Sequence, residues 1–237
     1  MHSVPTPDPF SVRRQGFTII ELMIVVAIIA VIAAIAIPGL IASQRSANER
    51  SASASLKTLA TAEVDFRSND RDGNGRPDYW TGDVSGLYKL YNLGDPTMAI
   101  IKMIDLSVAA ADAQPMAAPP PNYVATIAGS SAPKSGHWFW ALDSDLSGAA
   151  AQVYRMDTDG TGIACHNSSR FGFLAFPDSL SVGTSAFIMN ENLTILKSRL
   201  GASIRSTATF VPGPPSAAAF RNYPDDVTLR AFWGRLD

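Results

Sequence analysis

Asp70, Asp72, Asn74 and Asp78 alternate with other residues in the run Asp70-Arg71-Asp72-Gly73-Asn74-Gly75-Arg76-Pro77-Asp78. Oxygen ligands at the first, third, fifth and ninth places of a loop, with glycine at the sixth, are what a chain needs to wrap a calcium ion. The four oxygen-bearing residues fill those places and Gly75 supplies the glycine. The twelfth place departs from the pattern, because Thr81 stands where a bidentate glutamate would close the shell, with Asp83 nearby as a substitute oxygen. Aspartate, asparagine and glycine also favour tight turns for backbone reasons alone. The run therefore reads either as a calcium loop or as an Asx/Gly turn. A shorter run, Asp157-Thr158-Asp159-Gly160-Thr161-Gly162, has fewer charges and reads as a turn.

The other reactive side chains form no catalytic pattern. The chain contains no nucleophile elbow, no phosphate-binding glycine loop and no zinc-ligand series. His137 lies beside Trp138, and His166 follows the single cysteine, Cys165. Side chains adjacent on a strand point to opposite faces, so Cys165 and His166 do not make a dyad. Trp138 and Trp140 share one face of a strand and read as core before they read as a sugar-stacking platform. No enzyme is expected. With 19 basic against 21 acidic residues and a net charge of −2, the chain also lacks the basic footprint of a nucleic-acid binder. One cysteine cannot close an intramolecular disulfide. At 46% hydrophobic and 17% charged, the 237 residues can bury a sizeable core.

The elements that carry these residues begin with an apolar run. Between Phe17 and Ile37 only Thr18 and Glu21 are not apolar. A helix of that length spans roughly 30 Å at about 1.5 Å per residue, enough to cross a bilayer core. Arg13 and Arg14 precede it and keep that end cytoplasmic by the positive-inside tendency, leaving the rest of the chain outside. Taken alone, these features fit a secretory signal peptide cut after Ala34-Ile35-Ala36, a twin-arginine signal, or a prepilin leader. Beyond Pro38-Gly39 the stretch Leu40 to Phe66 continues as helix, with Leu56, Leu59, Ala60 and Val64 on one apolar face. Gln44, Arg45, Asn48, Glu49 and Arg50 read as solvated. Pro38 is expected to kink the long helix.

After Arg67 the texture changes to short β-type runs. Trp138–Leu142, Ala150–Met156 and Phe171–Phe176 read as strands, and Phe187–Met189 with Leu193–Leu196 as a hairpin turned at Asn190-Glu191-Asn192. The Ala/Pro-rich stretches Ala109–Pro121 and Val211–Ala219 read as long surface loops. The expected class is α+β, a long helix packed on an antiparallel sheet. The expected organisation is a leader over 1–16, a transmembrane helix over 17–38, the soluble half of the helix over 39–66, and a β head over 67–237.

The run Arg13-Arg14-Gln15-Gly16-Phe17-Thr18-Ile19-Ile20-Glu21-Leu22-Met23-Ile24-Val25-Val26-Ala27-Ile28-Ile29 resembles the N-terminal signature of type IV pilins and type II secretion pseudopilins. The resemblance selects the prepilin reading and carries several implications. A prepilin peptidase cuts between Gly16 and Phe17, and the new N-terminus at Phe17 is methylated. Glu21 serves assembly by meeting the freed amine of a neighbouring subunit, and Pro38 matches a proline common in these helices. The partners implied are the peptidase/N-methyltransferase, other pilin or pseudopilin subunits, an inner-membrane assembly platform and membrane lipid. The implied location is the inner membrane, single-pass, with extraction into a filament.

A carboxylate such as Glu21 costs roughly 2.5–3.5 kcal/mol at a bilayer centre, which independently calls for a partner. The function expected is that of a structural subunit of a type IV pilus or type II pseudopilus. Within the resemblance, the lone cysteine and the acidic loop lean slightly toward a pseudopilin or a minor pilin-like protein. A membrane-tethered binding module that never polymerises is the alternative.

Overall fold

The computed structural model describes residues 16–92, 94–95, 97, 99–118, 120, 122–123, 131–158, 162–200 and 221–236. Arg13, Arg14 and the Val211–Ala219 stretch lie outside them. The chain divides into two compact units, one ending at Ser43 and the other spanning Gln44–Asp237.

In the first unit the apolar run is helical, as its composition dictates. It forms the start of α1 (Ile19–Asn69), and the helical conformation continues through Pro38. The side chains from Phe17 to Ile41 that give the run its hydropathy are exposed, and the helix is long and apolar enough to cross a membrane. Its first turn is closed by a reciprocal cap. The Thr18 backbone N–H and hydroxyl both donate to Glu21 Oε2, at 2.9 and 2.6 Å, while the Glu21 N–H donates back to Thr18 Oγ1 at 3.3 Å. This Thr-x-x-Glu capping box satisfies N–H groups that a helix start leaves without intrahelical partners.

In the second unit the C-terminal part of α1 packs one face inward. Ala52, Leu56, Leu59, Ala60, Glu63 and Phe66 are buried, recurring at the three- and four-residue spacing of one helix face. Val64, expected on that face, is exposed instead. The buried stripe is centred between Leu56 and Leu59 and continues through Glu63, which places Val64 on its flank.

The head's strands are β1 (Tyr79–Trp80), β2 (Leu90–Tyr91), β3 (Ile100–Ile101), β4 (His137–Ala141), β5 (Ser144–Asp145), β6 (Gln152–Val153), β7 (Asp157–Thr158), β8 (Ala164–Asn167), β9 (Gly172–Pro177), β10 (Ser185–Asn190), β11 (Leu196–Arg199), β12 (Asn222–Tyr223) and β13 (Gly234–Arg235). The main sheet has the order β13-β11-β10-β9-β4 and is antiparallel throughout. The class is α+β, as expected. The 187–196 hairpin is present with its second strand shifted to Leu196–Arg199, whereas the expected 150–156 strand shrinks to Gln152–Val153.

Every residue of β4, β9 and β10 is buried, so this sheet is covered on both faces. Phe139, Phe173 and Phe187 alternate onto a core shared with Leu56, Leu59 and Phe66 of α1. Trp138, Trp140, Leu174 and Ile188 face a second core closed by Tyr154 and Tyr223. The two tryptophans are therefore packing residues. The Ala109–Pro121 stretch is only partly the surface loop expected of it, exposed at 114–115 and 117–118 but buried in its first part. It follows a short helix, α2 (Leu106–Ala109), and buries Ala109, Ala111 and Asp112, the last accepting from the N–H groups of Val84, Ser85 and Gln114.

A polar latch joins α1 to the loop before β10. Arg45 Nε donates to the Ser181 carbonyl at 3.0 Å, and Asn48 Nδ2 to that of Val182 at 3.1 Å. Glu49 accepts from the N–H and hydroxyl of Thr184 and from Lys197 Nζ, all within 3.1 Å. These three residues, read as solvated from their types, are instead the docking contacts, while Gln44 and Arg50 are exposed.

Burial works to raise the Glu49 carboxyl, but its bonds to Lys197 and Thr184 outweigh that and hold it below its ordinary value. A depressed carboxylate contributes stability above its unfolded value, and that contribution is lost as pH falls through the lower folded one. Glu49→Gln should therefore be destabilised by about 1–2 kcal/mol at pH 7. The gap to the parent should close below about pH 4 in denaturant titrations at stepped pH.

Candidate functional site

Two places carry the candidate residues, one in each unit. At the N-terminal place, Gly16 and Phe17 are exposed, and nothing lies within 4 Å of where a Gly16 Cβ would stand. Glu21 lies in the first turn of α1, its carboxylate folded back onto Thr18, next to the Phe17 position at which cleavage would create an amine. Thr18 is the residue that sequence reasoning overlooked, although Thr-x-x-Glu before an apolar run is a recognisable cap signal.

The second place is the turn that ends α1. Asp70 (φ 44°), Gly73 (φ 70°) and Gly75 (φ 77°) adopt left-handed backbone, and Gly73 N–H donates to the Asp70 carbonyl at 2.9 Å. The turn directs Asp72 inward, and Asp78 follows just ahead of β1; both are buried. β1 pairs with β8 so that Trp80 lies opposite His166. This pairing brings a residue from nearly ninety positions away onto the two aspartates. His166 Nδ1 is 3.2 Å from Asp78 Oδ1, and its Nε2 is 3.7 Å from Asp72 Oδ2. One ligand atom from each of Asp72, Asp78 and His166 fits within a 4.8 Å cluster. Phe66, Trp80 and Tyr123 surround the imidazole, at ring-centroid distances of 6.0, 5.5 and 6.4 Å.

The remaining two loop residues are engaged differently. Asp70 Oδ2 accepts from Gly75 N–H at 2.9 Å. Asn74 Oδ1 accepts from Arg76 N–H at 2.7 Å, while its Nδ2 donates to Asp72 Oδ2 at 2.9 Å and to Asp78 Oδ2 at 3.4 Å. The asparagine thus presents hydrogens, not an oxygen, to the carboxylates. Thr81 donates to the Tyr154 carbonyl. Asp83 accepts from Trp80 Nε1, Ser85 Oγ and the N–H groups of Gly86 and Met116, so it does not reach the cluster as a substitute ligand.

A third carboxylate adds to the charge. Glu63 is fully buried, and its Oε2 accepts from Trp80 N–H at 3.0 Å. Burial holds it well above the carboxylate range, Trp80 N–H opposing the rise and Asp78 adding to it. Burial pushes Asp72 up to about 7, with His166 opposing and Asp78 and Asp70 adding. The Tyr123 phenol is raised by burial and then by Asp72. Among the described residues, Glu63 Oε1, Asp70 Oδ1, Asp72 Oδ1 and Tyr123 Oη are buried without a hydrogen-bond partner.

Comparison with known proteins bears on the N-terminal place. Residues 12–37 match the family model of the prokaryotic N-terminal methylation motif. The chain is 52% identical over 59 residues to the type IV major pilin protein PilA of Myxococcus xanthus, a stretch covering 25% of this chain and 27% of that one. Over 37 residues it is 54% identical to the type IV wide pilus major component PilA4 of Thermus thermophilus, covering 16% and 28% respectively. The chain thus spans little more than a quarter of the length of these relatives. No solved structure matches significantly.

Proposed function

We propose, from the type IV pilin-like N-terminal segment of this chain, that the protein is a structural subunit of a type IV pilus, made as a prepilin. The observation that carries this reading is the methylation motif over 12–37, placed at the start of a helix able to cross a membrane and followed by a folded head. Both named relatives are pilus components, which supports a pilus over a pseudopilus and a structural over a catalytic role. In this reading the peptidase cuts between Gly16 and Phe17, the amine of Phe17 is methylated, and α1 anchors the subunit in the inner membrane with the head outside. Neighbouring subunits and the assembly platform are its partners.

Glu21 then has two successive roles. In the single chain the capping box satisfies its carboxylate within the first turn, lowering the cost of holding it in lipid. In the filament it turns to the Phe17 amine of a neighbour. Glu21→Leu should insert and be cut normally, with a mature N-terminus at Phe17 by intact mass. Its recovery in sheared filaments should collapse, because a buried ammonium without its counter-charge costs several kcal/mol. Thr18→Ala separates the roles: it weakens the cap by about 1 kcal/mol but keeps the carboxylate, so assembly should persist. Normal filament yield from Glu21→Leu would overturn the pairing. A mature N-terminus at Ile37 would overturn the prepilin reading itself.

A further inference from the structure

We propose that Asp72, Asp78 and His166 form a structural site for a divalent first-row transition ion of the zinc kind, which ties the turn after α1 to β8.

The donor set argues for this class over calcium. Calcium takes oxygen ligands almost exclusively, whereas an imidazole with carboxylates suits zinc and its neighbours. Of the further oxygens that a calcium-wrapping loop would add, Asn74 Oδ1 is bound to Arg76 N–H and Asp70 Oδ2 to Gly75 N–H, which leaves Asp70 Oδ1 beside Asp72 as the one addition. The facing ligand atoms come from the two aspartates and the histidine, within 4.8 Å of one another, and a small contraction brings them to the roughly 2.0–2.2 Å bonds of zinc.

The surroundings of the cluster fit an ion as well: the carboxyl groups of Glu63, Asp72 and Asp78 are buried together around the His166 ring and Trp80 N–H. The loop's arginines are committed elsewhere. Arg71 pairs with Asp65 at 3.0 Å, Arg67 donates to the Pro77 carbonyl and stacks over Tyr79, and Arg76 is exposed. The buried Oε1 of Glu63 and Oη of Tyr123 have no hydrogen-bond partner among the described residues, and both groups interact electrostatically with the aspartates. They suit an outer shell in which a metal-bound water donates to Glu63. Asn74 Nδ2, which spans Asp72 and Asp78 from the half-exposed turn, is the group that an arriving ion displaces.

The test uses the full-length chain in detergent, stripped with chelator and titrated separately with zinc, cobalt(II) and calcium. One zinc per chain should be retained after desalting and should raise the melting temperature by about 5–10 °C at a hundredfold excess over Kd. Cobalt(II) should give visible d–d absorption at the same stoichiometry. His166→Gln and Asp78→Asn should each lose retention and the cobalt spectrum. If either variant fails to fold, the parent's own stoichiometry and melting response still decide. A parent melt indifferent to zinc and cobalt would show a metal-free hydrogen-bonded cluster and overturn the site. A response to calcium alone, or zinc retention undiminished in His166→Gln, would overturn it equally.

Discussion

Trp80→Ala should lower the stability of the folded chain by about 3–5 kcal/mol, at the upper end for a single core truncation. The indole is fully buried, stacked on Tyr123 at 3.9 Å between ring centroids and edge-on to His166. Its Nε1 donates to the Asp83 carbonyl at 2.8 Å. A Cβ at Gly82 or Gly86 would run into the indole, meeting Cζ2 in both cases. Truncation therefore leaves a large cavity, an acceptor without its donor, and an imidazole with one wall removed. At roughly 2–4 °C per kcal/mol for a domain of this size, the melting temperature should fall by about 6–20 °C. Thermal unfolding followed by near-ultraviolet circular dichroism measures this directly. Trp80→Phe, which keeps the stack but loses the donor, should recover more than half of the loss. If both variants melt like the parent, the aromatic cluster is not what holds β1 in place.

Gly136→Ala should cost about 2–4 kcal/mol although it adds only one methyl group. Lys134 and His137 exchange both backbone hydrogen bonds around Ser135 (φ 48°) and Gly136 (φ 70°), the two-residue turn that matches strand twist. Alanine at Gly136 must hold a left-handed backbone, and its Cβ would land on Val182 Cγ1. Val182 cannot move aside freely, since its carbonyl accepts from Asn48 and its N–H donates to Ser179. The steric part should be recoverable. Val182→Ala in the Gly136→Ala background should restore about half the loss, and Val182→Ala alone should cost less than the double-mutant gain. Denaturant midpoints at constant m-value would measure all three.

What could be read from the sequence, and what could not, follows from the range of the interactions involved. The apolar run from Phe17 to Ile37 dictates a helix by itself, and the aromatic runs around Trp138, Phe173 and Phe187 dictate buried strands, because burial is encoded residue by residue. Arg45, Asn48 and Glu49 read as solvated from sequence because polar side chains on a helix normally are. Their partners, Ser181, Val182 and Thr184, are more than 130 residues away. The acidic run is recognisable in the sequence as a turn rich in side-chain oxygens, whereas the approach of His166 is not, since only the β1–β8 pairing brings it beside Asp72 and Asp78. Strands of two residues carry too little periodicity to announce themselves, and β1 is one of them. The buried acceptor role of Glu63 is likewise invisible in the sequence, because it depends on the Trp80 N–H.

The Arg45, Asn48 and Glu49 latch has a mechanical consequence. These residues attach one turn of α1 to residues 181–184 and to β11. Because the attachments lie side by side within about one helical turn, tension along α1 loads them together and does not peel them one after another. Rupture then requires several bonds to fail at once, and the quantity that matters is a rate under force, not an equilibrium constant. Glu49→Gln, a modest change at rest, should thus shorten the lifetime of the helix–head junction under tension far more than its resting stability implies.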